Sequence, residues 1–392
     1  MKATYTQEAL PLNVSLVIDR STSMKGERIN RVKAAAAHVI EKLSSRDHIS
    51  IISFSDRAEI IVPSSQPNST RELLSQLNGI IPSGGTEIFQ GLAAAYREIR
   101  KVPLNKFVNH IILLTDGHTY GDNQLCLELA EKAAQLGIGM SGFGIGDEWN
   151  DSFLDSLVSM SGGQSGYIKE PEQIIHLLRQ RIQSLGSVFS HNTQIEFDLP
   201  QNMKIRQVLK MTPFFQPLKL HENKIFAGAI EGRTPLGILV EIEVESLMSS
   251  VDLSIPMRIY TEVPSGNSVG KSIRVVHDIR KSNQTRSIAN HGMPPAILEA
   301  VRMLNLYRMN ENAWKEVEEG NAEVAAKRMD LLTRRFEEAG LDQLAKNVRR
   351  NTRMLKAGDK LSTGNRMEVK YGTRLQLTTT LQSTLEQEVQ DK

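Results

Sequence analysis

Between residues 12 and 189, short runs that are apolar at nearly every position alternate with longer segments whose apolar residues recur every three or four positions. Runs of the first kind read as strands buried on both faces, and segments of the second kind as helices with one apolar side. A mostly parallel sheet covered by helices on both faces accommodates the two together. Strands are expected at 14–18, 49–54, 58–62, 109–114, 138–145 and 166–168, the third halted by Pro63 and the last at the sheet edge. Helices are expected at 27–43, 70–77, 88–100, 123–136, 153–160 and 172–189, with Ser69 or Thr70 capping the second and Gly137 closing the fourth. The fold class for residues 10–189 is therefore α/β, a doubly wound, mostly parallel sheet.

Past residue 190 the pattern changes. Runs at 193–197, 224–227, 237–244 and 255–263 are β-rich, separated by turn residues and without helical periodicity, so 190–285 is expected to be a β-sandwich-like region. From Pro294 the spacing is helical again, at 296–307, 312–319, 322–339 and 341–355, which predicts stacked helical hairpins over 293–357. Residues 358–392 read as a polar C-terminal tail, with 371–377 as a strand or docked segment and a frayed end. A chain of 392 residues suits two or three such units.

Three loops carry the chemistry. Asp19-x-Ser21-x-Ser23 follows the first strand, Gly84-Gly85-Thr86 precedes the helix near Ile88, and Asp116-Gly117 follows the strand at 109–114. In a doubly wound sheet, loops at the carboxyl ends of strands converge at the topological switch point. Two carboxylates, Asp19 and Asp116, and three hydroxyls, Ser21, Ser23 and Thr86, would then share one crevice. That set suits a hard cation, Mg²⁺ first and Mn²⁺ or Ca²⁺ as substitutes, and the lack of His and Cys in the loops disfavours zinc. Two charged ligands under-neutralise a divalent cation, so an open coordination position would favour a Glu or Asp from a partner protein. Taken singly the pieces are ordinary: the Asp-Ser string and Thr86 are helix-cap residues, and Asp116-Gly117 is a turn pair.

Together, and in their glycine context, these residues resemble the metal-ion-dependent adhesion site of von Willebrand factor type A domains, the fold shared with integrin inserted domains. The pattern is D-x-S-x-S, then a Thr in a second loop, then an Asp in a third. Asp19, Ser21, Ser23, Thr86 and Asp116 match it without departure. The resemblance covers about residues 10–190 and implies divalent-cation-dependent protein binding with no catalysis. The order of regions, with Lys370-Tyr371-Gly372-Thr373-Arg374 near the end, also resembles bacterial cytosolic proteins of this type.

Other features have simpler readings. Gly142-Phe143-Gly144-Ile145-Gly146 lies within a late strand, so close helix–strand packing is expected rather than dinucleotide binding. Ser165 is assigned to a turn before the edge strand, His118 to an exposed loop, and Cys126 to a packed helix face. Arg20 and Lys25 flank the first loop, either to meet acidic residues of a partner or simply solvated. Arg349, Arg350 and Arg353 read as a solvated helix face. A net charge of +2, from 47 basic and 45 acidic residues, argues against a nucleic-acid partner. A single cysteine, no signal-peptide core in residues 1–8 and no apolar run of about 18 residues predict a cytoplasmic protein without a membrane span.

The expected function is a cation-dependent binding module or scaffold. The alternatives are a regulatory subunit of an ATPase or kinase/phosphatase complex, since the chain has no P-loop of its own, and a Mg²⁺-dependent phosphoryl hydrolase. The last is disfavoured because position 21 is Ser where a second acid would help.

Overall fold

The computed structural model describes residues 10–119, 121–232, 234–245, 253–265, 268–281 and 295–390, without the side chains of residues 189, 253–254, 264–265, 268–281 and 385–390. The readings of residues 1–8 and of the last two residues lie outside this set.

The first sheet has the order β3-β2-β1-β4-β5-β6. Its strands are β1 (Leu12–Asp19), β2 (His48–Phe54), β3 (Ala58–Ser65), β4 (Val108–Thr115), β5 (Gly139–Ile145) and β6 (Ser165–Ile168). All neighbours pair in parallel except β3, which is antiparallel to β2. The helices α1 (Glu27–Lys42), α2 (Thr70–Asn78) and α6 (Gln173–Leu185) cover one face, and α3 (Ile88–Ile99), α4 (Asn123–Gln135) and α5 (Asp151–Ser159) the other. Alternation along β1 feeds both cores: Leu16 and Ile18 pack with Val32, Ile40 and Ile49, while Val17 packs with Phe54, Leu92 and Leu113. Each such side chain, taken fully out of water, contributes about 1.5–3 kcal/mol.

Two boundaries in this α/β region differ from expectation by three residues or more. Strand β3 runs through Pro63 to Ser65, because it is an edge strand bonded only to β2 and has no second neighbour to need the missing N–H. Helix α6 stops at Leu185, not 189, because Val188 already begins β7 (Val188–Phe197), which pairs with two other strands.

The β-rich region forms two antiparallel sheets. β7 lies inside a five-stranded sheet with β10 (Leu220–His221), β11 (Lys224–Glu231), β13 (Leu253–Ser265) and β14 (Ser268–Lys281). The second sheet joins β8 (Met203–Thr212) to β9 (Gln216–Leu218) and β12 (Gly237–Val244). Arg181 of α6 pairs with Glu231 of β11 at 2.9 Å, both buried, and Lys210 Nζ of β8 donates to the carbonyls of Gly162 (2.9 Å) and Ala227 (3.0 Å). The Arg181–Glu231 pair and the Lys210–Gly162 bond tie the β-rich region to α6 and to the turn before β6, while the Lys210–Ala227 bond joins the two antiparallel sheets.

The helical region departs furthest from expectation. One continuous helix, α7 (Pro295–Glu318), replaces two, and tertiary partners hold its middle: Arg308 pairs with Glu241 of β12, and Glu311 with Arg366. It is followed by α8 (Ala322–Glu338) and α9 (Asp342–Lys356). The supposed polar tail is helix α10 (Thr363–Gln390), not a strand, and it packs against α7, α9 and β8. It is nevertheless docked, as one of the two readings had it. Gly372 permits close approach, since a Cβ there would come within 2.8 Å of Leu344. Two basic residues one turn apart on α10 meet two acidic residues one turn apart on α5. Lys370 Nζ lies 2.6 Å from Asp151 and 2.7 Å from Asp155, and Arg374 grips both oxygens of Asp155 at 2.8 and 2.7 Å. Among the described residues no helix is long and apolar enough to cross a membrane.

Candidate functional site

Asp19 is the last residue of β1 and Thr115 the last of β4, and these strands run in parallel with Ile18 level with Leu114. To one side of β1 the sheet continues to β2 and β3, and beyond β4 to β5 and β6, so the chain reverses its direction of travel between these two strands. Loops leaving a doubly wound sheet at that point open a crevice rather than crossing over it.

The side chains in the crevice hold one another. Asp19 is fully buried; its Oδ1 accepts the Ser21 N–H (2.8 Å) and its Oδ2 accepts the Thr115 hydroxyl (2.6 Å). Ser21 and Ser23 are joined Oγ to Oγ at 3.0 Å, and Ser23 donates to Asp116 Oδ1 at 2.7 Å. Asp116, also fully buried, receives Arg28 Nη1 on Oδ2 at 2.6 Å. The second loop is tied to the first, since the N–H and hydroxyl of Thr22 both donate to the Gly84 carbonyl, at 3.1 and 3.0 Å. Gly84 takes a left-handed turn (φ +81°), and Asp56 secures the next residue by accepting the Gly85 N–H at 2.9 Å. Thr86 thereby faces the third loop: a Cβ placed on Gly117 would stand 3.3 Å from Thr86 Oγ1. All five residues singled out from the sequence therefore meet in this crevice.

The electrostatics are unbalanced. Burial pushes the Asp19 carboxyl up to about 6; the hydrogen bonds from Thr115 and Ser21 pull against that, and the neighbouring Asp116 charge adds to it. Among the described residues no three His, Cys, Asp or Glu side chains gather as a metal cluster, so the donor set is two carboxylates and hydroxyls. Oxygen-only sets of this kind suit hard cations that keep part of their water shell.

Several residues near the site carried little sequence signal. Thr115, Arg28 and Asp56 each support a loop. The helix after Thr86 is capped from elsewhere: Ile88 N–H donates to Thr119 Oγ1 (3.1 Å) and Phe89 N–H to Asp122 (2.8 Å), so Thr86 is not the cap it could have been. Arg28 alone had a legible oddity, a base in the first turn of a helix, where acids are favoured. Arg20 braces the second loop through Ser83 Oγ at 2.7 Å, while Lys25 and His118 are exposed. The late glycines serve packing, since a Cβ on Gly142 would strike Leu154 and one on Gly144 would strike Trp149. Ser165 opens β6 rather than sitting in a turn, bonded to Asp155 and Gln216. Cys126 is buried, and its burial raises the thiol well above the ordinary range, which keeps it protonated and inert. Of the basic run, Arg349 and Arg350 pair with Glu337 and Glu368.

Residues 13–180 match the family model described as von Willebrand factor type A domain, and residues 295–379 match one described as Sll0103-like, C-terminal alpha-helical domain. The chain is 27% identical to the uncharacterized protein sll0103 of Synechocystis, over 97% of this chain and 91% of that one. It is 29% identical to the bovine inter-alpha-trypsin inhibitor heavy chain H4 over 59% of its own length, but spans only 26% of that relative. Among solved structures, a von Willebrand factor type A protein from Catenulispora acidiphila superposes with a TM-score of 0.76 at 16% identity, covering 93% of this chain and 89% of that one, a likeness of fold.

Proposed function

Starting from the fact that residues 13–180 are a von Willebrand factor type A domain, we propose that the chain is a divalent-cation-dependent protein-binding module rather than an enzyme. Asp19, Ser21, Ser23, Thr86 and Asp116 would hold Mg²⁺, directly or through water, and the loaded site would receive a Glu or Asp side chain of the partner. One observation carries the reading. Two fully buried carboxylates stand together in a ring of hydroxyls, and among the described residues the cationic side chain paired with them, Arg28, meets Asp116 and not Asp19. Buried charge without a counterion is costly, and a bound cation is the counterion that this oxygen set accepts. Bound there, Mg²⁺ supplies an electrophilic centre for a carboxylate. The chain's own contribution is to hold the loops: Thr115 and the Ser21 N–H orient Asp19, Gly84 and Asp56 set the second loop, and Gly117 leaves room for Thr86.

In this reading residues 10–189 bind, and the β-rich region at 190–285, the helices at 293–357 and the docked helix α10 brace them. A cytoplasmic setting is part of the same proposal, supported by the single, buried Cys126. Calorimetric titration with MgCl₂ and MnCl₂ tests it. Wild type is expected to bind one cation, and Asp19→Ala to bind at least about tenfold more weakly. Partner capture by wild type should then be abolished by EDTA. A wild-type protein that takes up neither cation would overturn the proposal.

A further inference from the structure

Arg28 occupies a position that helix electrostatics disfavours. It lies in the first turn of α1, where the unpaired N–H groups carry partial positive charge and stabilise acids. What holds it there is Asp116, whose Oδ2 it contacts at 2.6 Å while Ser23 takes Oδ1 at 2.7 Å. The turn after β5 makes room for the guanidinium. Gly146 has φ +71°, and a Cβ on it would come within 2.9 Å of Arg28 Nη2. The two carboxylates are therefore treated differently. Asp116 is neutralised from within the chain, whereas Asp19 receives one N–H and one hydroxyl and, among the described residues, no charge. Arg28 is also the member of this pair that solvent reaches, with 32% of its side chain exposed against none of Asp116.

We propose that Arg28 determines the specificity of the site by cancelling the Asp116 charge, so that a bound divalent cation is balanced by Asp19 alone and keeps positive charge for an incoming carboxylate. This rests on the cation-site reading above. Arg28 then acts in two opposite senses. Its charge repels the bare cation and weakens cation uptake. The same charge, with guanidinium donors at the open edge of the site, strengthens the binding of an acidic side chain to the loaded protein.

The test uses the full chain with Mn²⁺ alone as the first probe, followed by acetate as a minimal carboxylate read through the water-proton relaxivity of bound Mn²⁺. Arg28→Gln is expected to bind Mn²⁺ about tenfold more tightly than wild type and acetate several-fold more weakly. Should Arg28→Gln be too unstable to titrate directly, its urea midpoint across a MnCl₂ series reads the same affinity by linkage, and must rise more steeply than that of wild type. Equal Mn²⁺ affinity in the two proteins, or tighter acetate binding by Arg28→Gln, overturns the role of Arg28 and leaves the cation site standing. Absence of Mn²⁺ binding in both overturns the cation reading and this inference with it.

Discussion

Two pairs of buried carboxylates sit in this molecule, and the chain treats them in opposite ways. On α5, Asp151 and Asp155 face Lys370 and Arg374 of α10, and every partner is nearly inaccessible to solvent. Burial by itself would raise the Asp155 carboxyl; the charges of Arg374 and then Lys370 overturn that and hold it well below the usual carboxylate range. At the ends of β1 and β4, Asp19 and Asp116 are as deeply buried but meet hydroxyls and one partly exposed guanidinium, and burial prevails at Asp19. The first pair is complete within the chain and serves as a clamp across 219 residues of sequence. The second is left short of positive charge, which is what a binding site for a cation requires.

The largest expected effect separates the two pairs by stability. Arg374→Ala leaves Asp155 with half its counterions and should lower the unfolding free energy by about 3–5 kcal/mol, measured by urea denaturation. Asp19→Asn, in EDTA, should change it by less than about 1 kcal/mol, because it removes a charge that burial disfavours. Comparable losses in both variants would break the comparison.

Cation binding should invert that order. At a free Mg²⁺ concentration one hundred times its dissociation constant, wild type gains about 2.7 kcal/mol. Asp19→Asn, if at least about tenfold weaker in binding, should gain no more than about 1.4 kcal/mol, and Arg374→Ala should gain as much as wild type from its lower starting point. Thermal melts with and without MgCl₂ decide this.

Acidity acts on the clamp with a definite sign. The folded value of Asp155 lies below its unfolded value of about 3.9, so its contribution is complete at neutral pH and is lost as pH falls through the lowered folded value. The stability gap between wild type and Arg374→Met should therefore be wide at pH 7, begin to narrow near about pH 4, and go on narrowing as the pH falls towards the lowered folded value. A gap that stays constant from pH 7 down to about pH 2 would show that Arg374 acts through packing on Tyr307 and Phe215 and not through charge.

The smallest effect concerns the second loop. Gly117→Ala places a methyl 3.3 Å from Thr86 Oγ1, close enough to displace the hydroxyl by a few tenths of an ångström. Mn²⁺ affinity should fall a few-fold while stability changes by no more than about 0.5–1 kcal/mol. An unchanged affinity would remove Thr86 from the proposed ligand set.

The sequence alone determined the alternation of strands and helices from residue 12 to about 189, its last helix ending four residues early at Leu185, and with it the loops that carry Asp19, Ser21, Ser23, Thr86 and Asp116. Both are local properties: burial on two faces writes a continuous apolar run, one-sided burial writes a 3.6-residue period, and a strand's end locates the loop that follows it. Three further features were decided only by tertiary structure. The polar run 363–390 carries no clear apolar stripe and has Gly372 in its interior, so nothing local marks it as helix. It is held by Lys370 and Arg374 meeting acids on α5 and by contact with α7 and α9. Pro63 could be judged compatible with a strand only once β3 was known to lie at the edge. Arg28 was a visible irregularity without a visible cause, because Asp116 lies 88 residues further along the chain. Ion pairing and edge position depend on what folding brings into contact, and neither leaves a period in the sequence.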